Sequence, residues 1–246
     1  MKPVMLITGA SAGIGAACAQ IAAGRGYDLA LNYRSDDAGA EKVAEACRDA
    51  GARALLCKGD VSDPEAIADI YGKIDAEYGR LDALVNNAGV VDQTAKVTDV
   101  THARLKRMFD INVIGAILVA KEAVLRMQAG GRGGVIVNIS SAAARLGSGN
   151  QYVDYAASKA AIDTFTKGLS DEVAGDNIRV MAIRPGLIET ELHAKGGEPG
   201  RADKLAHMVP MKRKGSAEEV ALGIMWLCSD EASYVTGSTL DVTGGR

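Results

Sequence analysis

Seven short aliphatic runs alternate along the chain with longer segments that are rich in alanine and charge, and this alternation limits the fold more than any other feature. The longer segments have the length and periodicity of helices. Strands that are uniformly apolar need cover on both faces, and strands that alternate with helices form parallel sheets. The pattern therefore predicts an α/β fold, a single doubly wound domain with a seven-stranded parallel sheet. The predicted strands are PVMLIT, DLALNY, RALLCK, DALVNN, GVIVNIS, IRVMAIRP and STLDVT.

Composition excludes several classes of function. The chain has 246 residues, enough for one sizeable core, and its 28 basic and 31 acidic residues give a net charge of -3. Because the chain has no overall positive field, we do not expect it to bind nucleic acid or anionic membranes. We expect a small-molecule ligand instead. The longest strongly apolar run, INVIGAILVA, is about half of the roughly 20 residues that a membrane-spanning helix needs.

The spacing of the cysteines bears on redox compartment and metal binding. Cys18, Cys47, Cys57 and Cys228 lie far apart with no CxxC, so we expect free thiols in the cytoplasm. The three histidines are scattered as well, so we expect no metal site.

We expect one domain over residues 1–246. The segment HAKGGEPGRADK is polar and rich in glycine, and we expect a substrate lid at about 187–210 around it.

A glycine-rich stretch, TGASAGIG, lies between the first predicted strand and the first predicted helix. It contains Gly9, Gly13 and Gly15, with the small Ser11 between them. Glycines there let the backbone turn sharply and approach a pyrophosphate, which the N–H groups and dipole of a helix N-terminus stabilise. The alternative is a plain strand-to-helix turn, but the position after the first strand favours a nucleotide site of the Rossmann type.

Polar residues also follow the third and fourth predicted strands. KGDV places Asp60 at one carboxyl end, and NNAG places Asn87 and Gly89 at the other. Ligands of doubly wound sheets bind at these ends. Turn formation is the competing explanation, since Asn, Asp and Gly are also common loop residues.

The stretch DYAASKAA places a tyrosine and a lysine four residues apart. On a helix this spacing stacks Tyr155 and Lys159 on one face. A tyrosine with a pKa of about 10 is a poor acid or base at neutral pH, and a nearby ammonium lowers that pKa. YxxxK alone is a weak pattern that an ordinary helix face also carries.

Taken in order, these motifs span nearly the whole chain, together with Asn112 in INVIG, Ser141 in NISS and the pair Pro185-Gly186. The combination resembles the short-chain dehydrogenase/reductase family, in particular its glucose-dehydrogenase-like and oxoacyl-carrier-protein-reductase-like members. The resemblance implies a nicotinamide cofactor. The residues it implies for cofactor binding are Gly9, Ser11, Gly13, Ile14, Gly15, Tyr33, Arg34, Ser35, Asp60, Val61, Asn87, Ala88, Gly89, Tyr155, Lys159, Pro185, Gly186, Ile188 and Thr190.

The same resemblance implies four catalytic residues. Tyr155 is the expected acid/base, and Lys159 holds the ribose hydroxyls and lowers the tyrosine pKa. Ser141 hydrogen-bonds the reacting oxygen, and Asn112 stabilises a helix bend and a water in the proton relay. Ser141 precedes Tyr155 by fourteen positions, one more than in many members, which indicates an extra loop residue.

Two neighbours compete for these roles. Tyr152 is an alternative to Tyr155, but Ala156 stands four residues after it instead of a lysine. Ser140 competes with Ser141, and strand alternation allows only one of the two to face the site. Ser141 is assigned by analogy with the family.

The end of the second strand, LNYRSDD, bears on the choice of cofactor. An acidic residue there binds the ribose of NAD and repels the 2′-phosphate of NADP. Tyr33 stands at that position, and Arg34 and Ser35 offer a guanidinium and a hydroxyl to a phosphate. NADP is therefore expected. Use of NAD stays open because Ala12 replaces a basic residue that many NADP-preferring members have, and Asp36 and Asp37 lie close by.

The expected function is thus NADP(H)-preferring interconversion of a carbonyl and a secondary alcohol by hydride transfer. The alternatives are a catalytically silent nicotinamide-nucleotide-sensing protein and a sugar-nucleotide epimerase on the same fold. The resemblance also implies a homotetramer that packs helices around residues 100–128 and 154–173 against partner subunits. The substrate is not identified, because fold does not fix function.

Overall fold

The computed structural model describes residues 2–189 and 200–246, and in it all seven predicted strands form. The strands are β1 Val4–Ile7, β2 Asp28–Tyr33, β3 Ala54–Lys58, β4 Ala83–Asn86, β5 Gly134–Ile139, β6 Ile178–Pro185 and β7 Thr239–Val242. They make one parallel sheet in the order β3-β2-β1-β4-β5-β6-β7. The predicted α/β fold, a single domain on a seven-stranded parallel sheet, is confirmed.

Helices separate the strands, as the alternation predicts. Asp63 caps the helix that begins at Pro64, and Ser216 and Glu219 form a capping box at the start of the helix Ala217–Leu227. Two short helices, Ala143–Leu146 and Arg201–Leu205, were not predicted. The helices are α1 Gly13–Gly24, α2 Asp37–Asp49, α3 Pro64–Tyr78, α4 His102–Phe109, α5 Ala116–Gly130, α6 Ala143–Leu146, α7 Val153–Val173, α8 Arg201–Leu205 and α9 Ala217–Leu227.

The core lies in two layers, one on each face of the sheet. Along β1, Met5 and Ile7 pack with residues of α1, α2 and α9, whereas Val4 and Leu6 pack with residues of α3, α5 and α7. All four side chains are fully buried, which explains why this strand is apolar at every position.

The strand order reverses between β1 and β4. The chain runs outward from β1 to β3 and then returns to β4 on the other side of β1. Such a reversal opens a crevice at the carboxyl ends of the strands, where doubly wound proteins bind their ligands. Across the described ranges, the helices are all too short or too polar to cross a membrane.

Candidate active site

A cavity of about 640 Å³ follows the carboxyl ends of the strands from the end of β2 to the start of α7. Most of the residues predicted for the site line it. They are Gly9, Ser11, Gly13, Ile14, Tyr33, Arg34, Ser35, Asp60, Val61, Asn87, Ala88, Gly89, Ser141, Tyr155, Lys159, Pro185, Gly186 and Ile188. Gly15 and Asn112 lie behind the wall, and Thr190 lies outside the described residues.

The glycine loop has the geometry that a pyrophosphate needs. Gly13 has a φ of +57°, and α1 begins there with no side-chain cap. A Cβ at Gly15 would lie 2.3 Å from the carbonyl oxygen of Gly9, so the loop folds back onto the helix too closely for any side chain. The first turn of α1 has no acidic residue, so no carboxylate there would repel an anion at this helix N-terminus.

The NNAG segment is bound to this loop by Thr8 and Asn87. The Thr8 hydroxyl accepts the N–H groups of Asn87 and Ala88, each at 2.9 Å. The Asn87 amide donates to the carbonyl oxygens of Thr8 at 2.8 Å and Gly9 at 3.1 Å. These contacts fix two walls of the cavity relative to each other.

The acidic residues beside Arg34 are already paired. Both carboxylate oxygens of Asp37 accept hydrogen bonds from the Lys58 ammonium at 2.8 Å. The hydrogen bonds from Lys58 and then Tyr33 lower the pKa of Asp37. Asp36 caps α2 by accepting the N–H of Gly39 at 3.0 Å. The sequence shows the two carboxylates, but not that Lys58 of the neighbouring strand offsets one of them.

Arg34 lies at the mouth of the cavity near Asp60. Its Nη1 atom is 3.7 Å from Oδ2 of Asp60, and 55% of its side chain is exposed. Burial raises the pKa of Asp60, but hydrogen bonds from the N–H and hydroxyl of Ser62, and then Arg34, bring it below its usual value. Arg34 is thus loosely held and free to meet a second anion.

Ser141 and Tyr155 bring two hydroxyls together on the cavity wall. The Ser141 hydroxyl accepts the N–H of Ala143 at 3.1 Å and interacts with the Tyr155 hydroxyl. Ser140 is directed elsewhere: it is 2% exposed, and its hydroxyl donates to the carbonyl oxygen of Lys159 at 3.1 Å. The described contacts therefore pair Tyr155 with the second serine.

The pKa of Tyr155 moves in the direction opposite to that expected from the sequence. Burial raises it, and hydrogen bonding to Ser141 only partly opposes that effect. Lys159 Nζ lies 5.8 Å from the centre of the Tyr155 ring and donates to the carbonyl oxygen of Ile139 at 2.8 Å. Burial lowers the pKa of Lys159 to about 8, against the charge of Asp163, which raises it. The protein's own groups therefore keep Tyr155 protonated at neutral pH.

Asn112 lies in a π-helical turn, Asp110–Gly115, that joins α4 to α5. Its Oδ1 accepts the N–H of Val90 at 2.8 Å, and its Nδ2 donates to the carbonyl oxygen of Val90 at 2.9 Å and to Ser158 Oγ at 3.1 Å. The side chain thus joins the widened turn, the segment after β4 and α7. Such turns often occur at functional sites.

Tyr152, the competing tyrosine, is a packing residue in this arrangement. It is 3% exposed and packs with Val91, Met108 and Tyr155. It lines the cavity beside Tyr155, but the residue four positions after it is Ala156 and not a lysine.

Sequence reasoning missed the far wall of the cavity. Leu146, Ser148, Gly149 and Gln151 line it, from the loop between Ser141 and Tyr155. Ser148 and Asn150 adopt positive φ angles of 49° and 60°, which makes this a tight, non-repetitive turn. The fourteen-residue spacing indicated an extra loop residue, but spacing alone does not give the direction of a loop.

Known proteins are similar to this chain over nearly its whole length. The family model described as enoyl-(acyl carrier protein) reductase matches residues 9–246. The uncharacterized oxidoreductase YgfF of Escherichia coli K12 is 49% identical over 99% of both chains. A short-chain type dehydrogenase/reductase from Mycobacterium marinum has a TM-score of 0.93 at 33% identity, over 99% of this chain and 94% of that one.

A second solved structure shows a relative with a cofactor. The 3-ketoacyl-(acyl-carrier-protein) reductase from Brucella melitensis, complexed with NADH, has a TM-score of 0.92 at 32% identity over 99% of this chain and 98% of that one. These matches confirm the resemblance found in the sequence. The chain belongs to the short-chain dehydrogenase/reductase family of NAD(P)-dependent oxidoreductases.

Proposed function

We propose that the protein is an NADP(H)-preferring oxidoreductase that interconverts a carbonyl and a secondary alcohol, with Tyr155 as its acid/base. The observation that carries the proposal is the pairing of the Ser141 and Tyr155 hydroxyls on the wall of the cavity that also contains the glycine loop. A substrate oxygen between the two hydroxyls accepts a hydrogen bond from each.

The direction of each pKa shift gives the residues their tasks. Burial keeps the Tyr155 phenol protonated, so in reduction its Oη can donate a proton to the substrate oxygen. The Ser141 hydroxyl donates to the same oxygen and stabilises the charge that develops on it. The bound nicotinamide cofactor supplies or accepts the hydride. In oxidation Tyr155 takes the proton back.

Lys159 and Asn112 support this chemistry. The Lys159 ammonium lies one turn from Tyr155 and is proposed to hold the ribose hydroxyls of the cofactor and to stabilise the phenolate when it forms. Asn112 holds Val90 and the π-helical turn in place, and we propose that it also stabilises a water in the proton relay. The remaining predicted residues of the cavity wall are proposed to bind the cofactor.

The residues at the end of β2 support the preference for NADP. Arg34 offers a guanidinium and Ser35 a hydroxyl at the cavity mouth, which suits a 2′-phosphate. Lys58 offsets the charge of Asp37, which removes part of the sequence-based argument for NAD. NAD stays the competing cofactor, since a relative is known in complex with NADH.

The substrate end of the cavity is largely apolar. Val91, Leu146 and Leu187 line it together with Tyr152 and the polar Gln151. We propose that the segment at about 187–210 forms its lid; residues 190–199 of that segment lie outside the described residues. Sugar, steroid, acyl and xenobiotic ketones are the classes to compare.

The deciding experiment is a panel of ketones and secondary alcohols from these classes, assayed with NADPH and with NADH. Turnover with NADPH, faster than with NADH, supports the proposal. Tight NADPH binding without turnover of any compound would identify a silent nucleotide-sensing protein instead. Redox-neutral conversion of a nucleotide sugar would identify an epimerase.

We also propose a cytoplasmic homotetramer. All four cysteines are buried and free, as suits a reducing compartment. Leu105, Ile114 and Leu125 are large apolar residues of the α4–α5 region with 38%, 50% and 50% exposure. This face, together with α7, is the one proposed to pack against partner subunits.

A further inference from the structure

A buried ion pair lies directly beside the proposed acid/base. Asp154 precedes Tyr155 in the first turn of α7, and only 1% of its side chain is exposed. Arg104 of α4 binds its carboxylate in a bidentate manner, with Nε to Oδ2 at 2.7 Å and Nη2 to Oδ1 at 3.2 Å. The Arg104 side chain is 12% exposed, so both charges are almost out of water.

The same guanidinium binds a third segment. Its Nη1 atom donates to the carbonyl oxygen of Gln93 at 2.6 Å, in the stretch between β4 and α4. One side chain therefore connects α4, the first turn of the catalytic helix and the segment that follows the NNAG motif.

That segment, residues 90–95, borders the substrate end of the cavity through Val90 and Val91. Asn112 binds both backbone groups of Val90 at one end. The N–H of Ala95 donates to the carbonyl oxygen of Gln151 at 2.9 Å at the other end. Arg104 holds its middle, and we call residues 90–95 the strap.

A buried ion pair gives little net stability compared with an apolar pair, so its presence here calls for another contribution. Burying two charges carries a desolvation penalty, and well-packed apolar residues often replace a buried ion pair without loss of stability. The planar guanidinium, in contrast, fixes the direction of three contacts at once. A fixed geometry is what proton transfer needs, because a misplacement of about 1 Å can lower a rate by about a hundredfold.

We propose that Asp154 and Arg104 are positioning residues, which fix the backbone of Tyr155 and the strap relative to each other and so place the Tyr155 hydroxyl against the substrate. The inference rests on the proposed function of Tyr155. It assigns no proton transfer to Asp154. The contacts lie away from the glycine loop, so binding of the cofactor's phosphates does not depend on them.

The test compares Asp154→Asn and Arg104→Lys with Asp28→Asn as a matched control. Asp28 is also a buried aspartate, with its side chain 5% exposed, and it accepts Arg53 Nε at 2.8 Å and the N–H of Arg53 at 2.9 Å. It lies at the amino end of β2, the end of the sheet opposite the cavity. Asp154→Asn and Asp28→Asn each replace the carboxylate of an ion pair, and Arg104→Lys keeps the charge but loses the bidentate geometry. All three variants are expected to unfold at lower temperature.

Only the two variants of the proposed pair should lose turnover. With the best substrate of the panel, kcat should fall by between about tenfold and a hundredfold, while the Kd for NADPH stays within about twofold. Asp28→Asn should keep its kcat within about twofold. A kcat for Asp154→Asn as high as that of the control overturns the proposal.

A second measurement does not depend on any substrate. Hydrogen exchange of the strap and of residues 151–155 should become faster in Asp154→Asn and Arg104→Lys, and stay unchanged in Asp28→Asn. Unchanged exchange in the strap overturns the proposal even if turnover is lost. If the panel finds no substrate for the wild type, the proposed function fails, and hydrogen exchange alone decides whether the pair holds the strap.

The double variant Arg104→Met/Asp154→Leu covers the case in which a single variant does not fold. An apolar pair removes the uncompensated charge, so we expect the double variant to fold. Its kcat should stay low and its strap should exchange quickly, because the bond to Gln93 is gone. Recovery of wild-type kcat and exchange together with stability would show that the pair is structural only.

Discussion

Replacement of Arg34 by alanine tests the proposed preference for NADP. A charge-assisted hydrogen bond contributes about 1.5 to 3 kcal/mol. The Arg34 side chain is 55% exposed and lies 3.7 Å from Asp60, so solvent screening and the competing carboxylate place the contribution near the lower limit. About 1.5 kcal/mol corresponds to roughly a tenfold loss of NADPH affinity. NADH has no 2′-phosphate, so its affinity should change by less than about twofold.

The assay is titration of NADPH and NADH into the wild type and the variant, followed by kcat/KM for both cofactors. Arg48→Ala is a matched control, since Arg48 is an arginine of α2 with 44% exposure, paired with Glu41 and outside the cavity lining. Raising the salt concentration should weaken NADPH binding to the wild type more than to Arg34→Ala. Equal losses for both cofactors, or an initial preference of the wild type for NADH, would reject the proposed preference for NADP.

Two further predictions concern Lys159 and assembly. Because burial lowers the pKa of Lys159 to about 8, the unfolded chain binds more protons than the folded one from about pH 8 to 10.5, and stability rises with pH in that window. Between pH 8 and 9.5 the wild type should gain up to about 2 kcal/mol in unfolding free energy relative to Lys159→Met, measured by urea unfolding; a constant difference contradicts the burial argument. Light scattering should give four times the 25.5 kDa chain mass, and a monomer would reject the proposed tetramer.

The strands could be predicted because their apolar character is local. Each predicted run contains an observed strand, and Asp63 and Ser216 mark helix starts through contacts within three residues along the chain. The α/β fold then follows, because uniformly apolar strands that alternate with helices form a parallel sheet with helices on both faces. Local patterns are therefore sufficient for the fold.

The interactions that tune the site could not be predicted in the same way. Arg104 and Asp154 are fifty positions apart, and nothing in either local sequence pairs them. The Tyr155 pKa depends on how deeply the side chain is buried, which spacing does not report, and burial raises that pKa. The π-helical turn at Asn112 depends on contacts with Val90, which precedes it by 22 positions.

The central claim is that the Tyr155 hydroxyl transfers the proton. Tyr155→Phe removes that hydroxyl and keeps the ring that packs with Tyr152 and Met108. A single turnover followed at the NADPH absorbance, with the best ketone of the panel, is the most direct measurement. The rate should fall by about 10² to 10⁴ while the Kd for NADPH stays nearly unchanged. A variant that oxidises NADPH at the wild-type rate would show that another group transfers the proton.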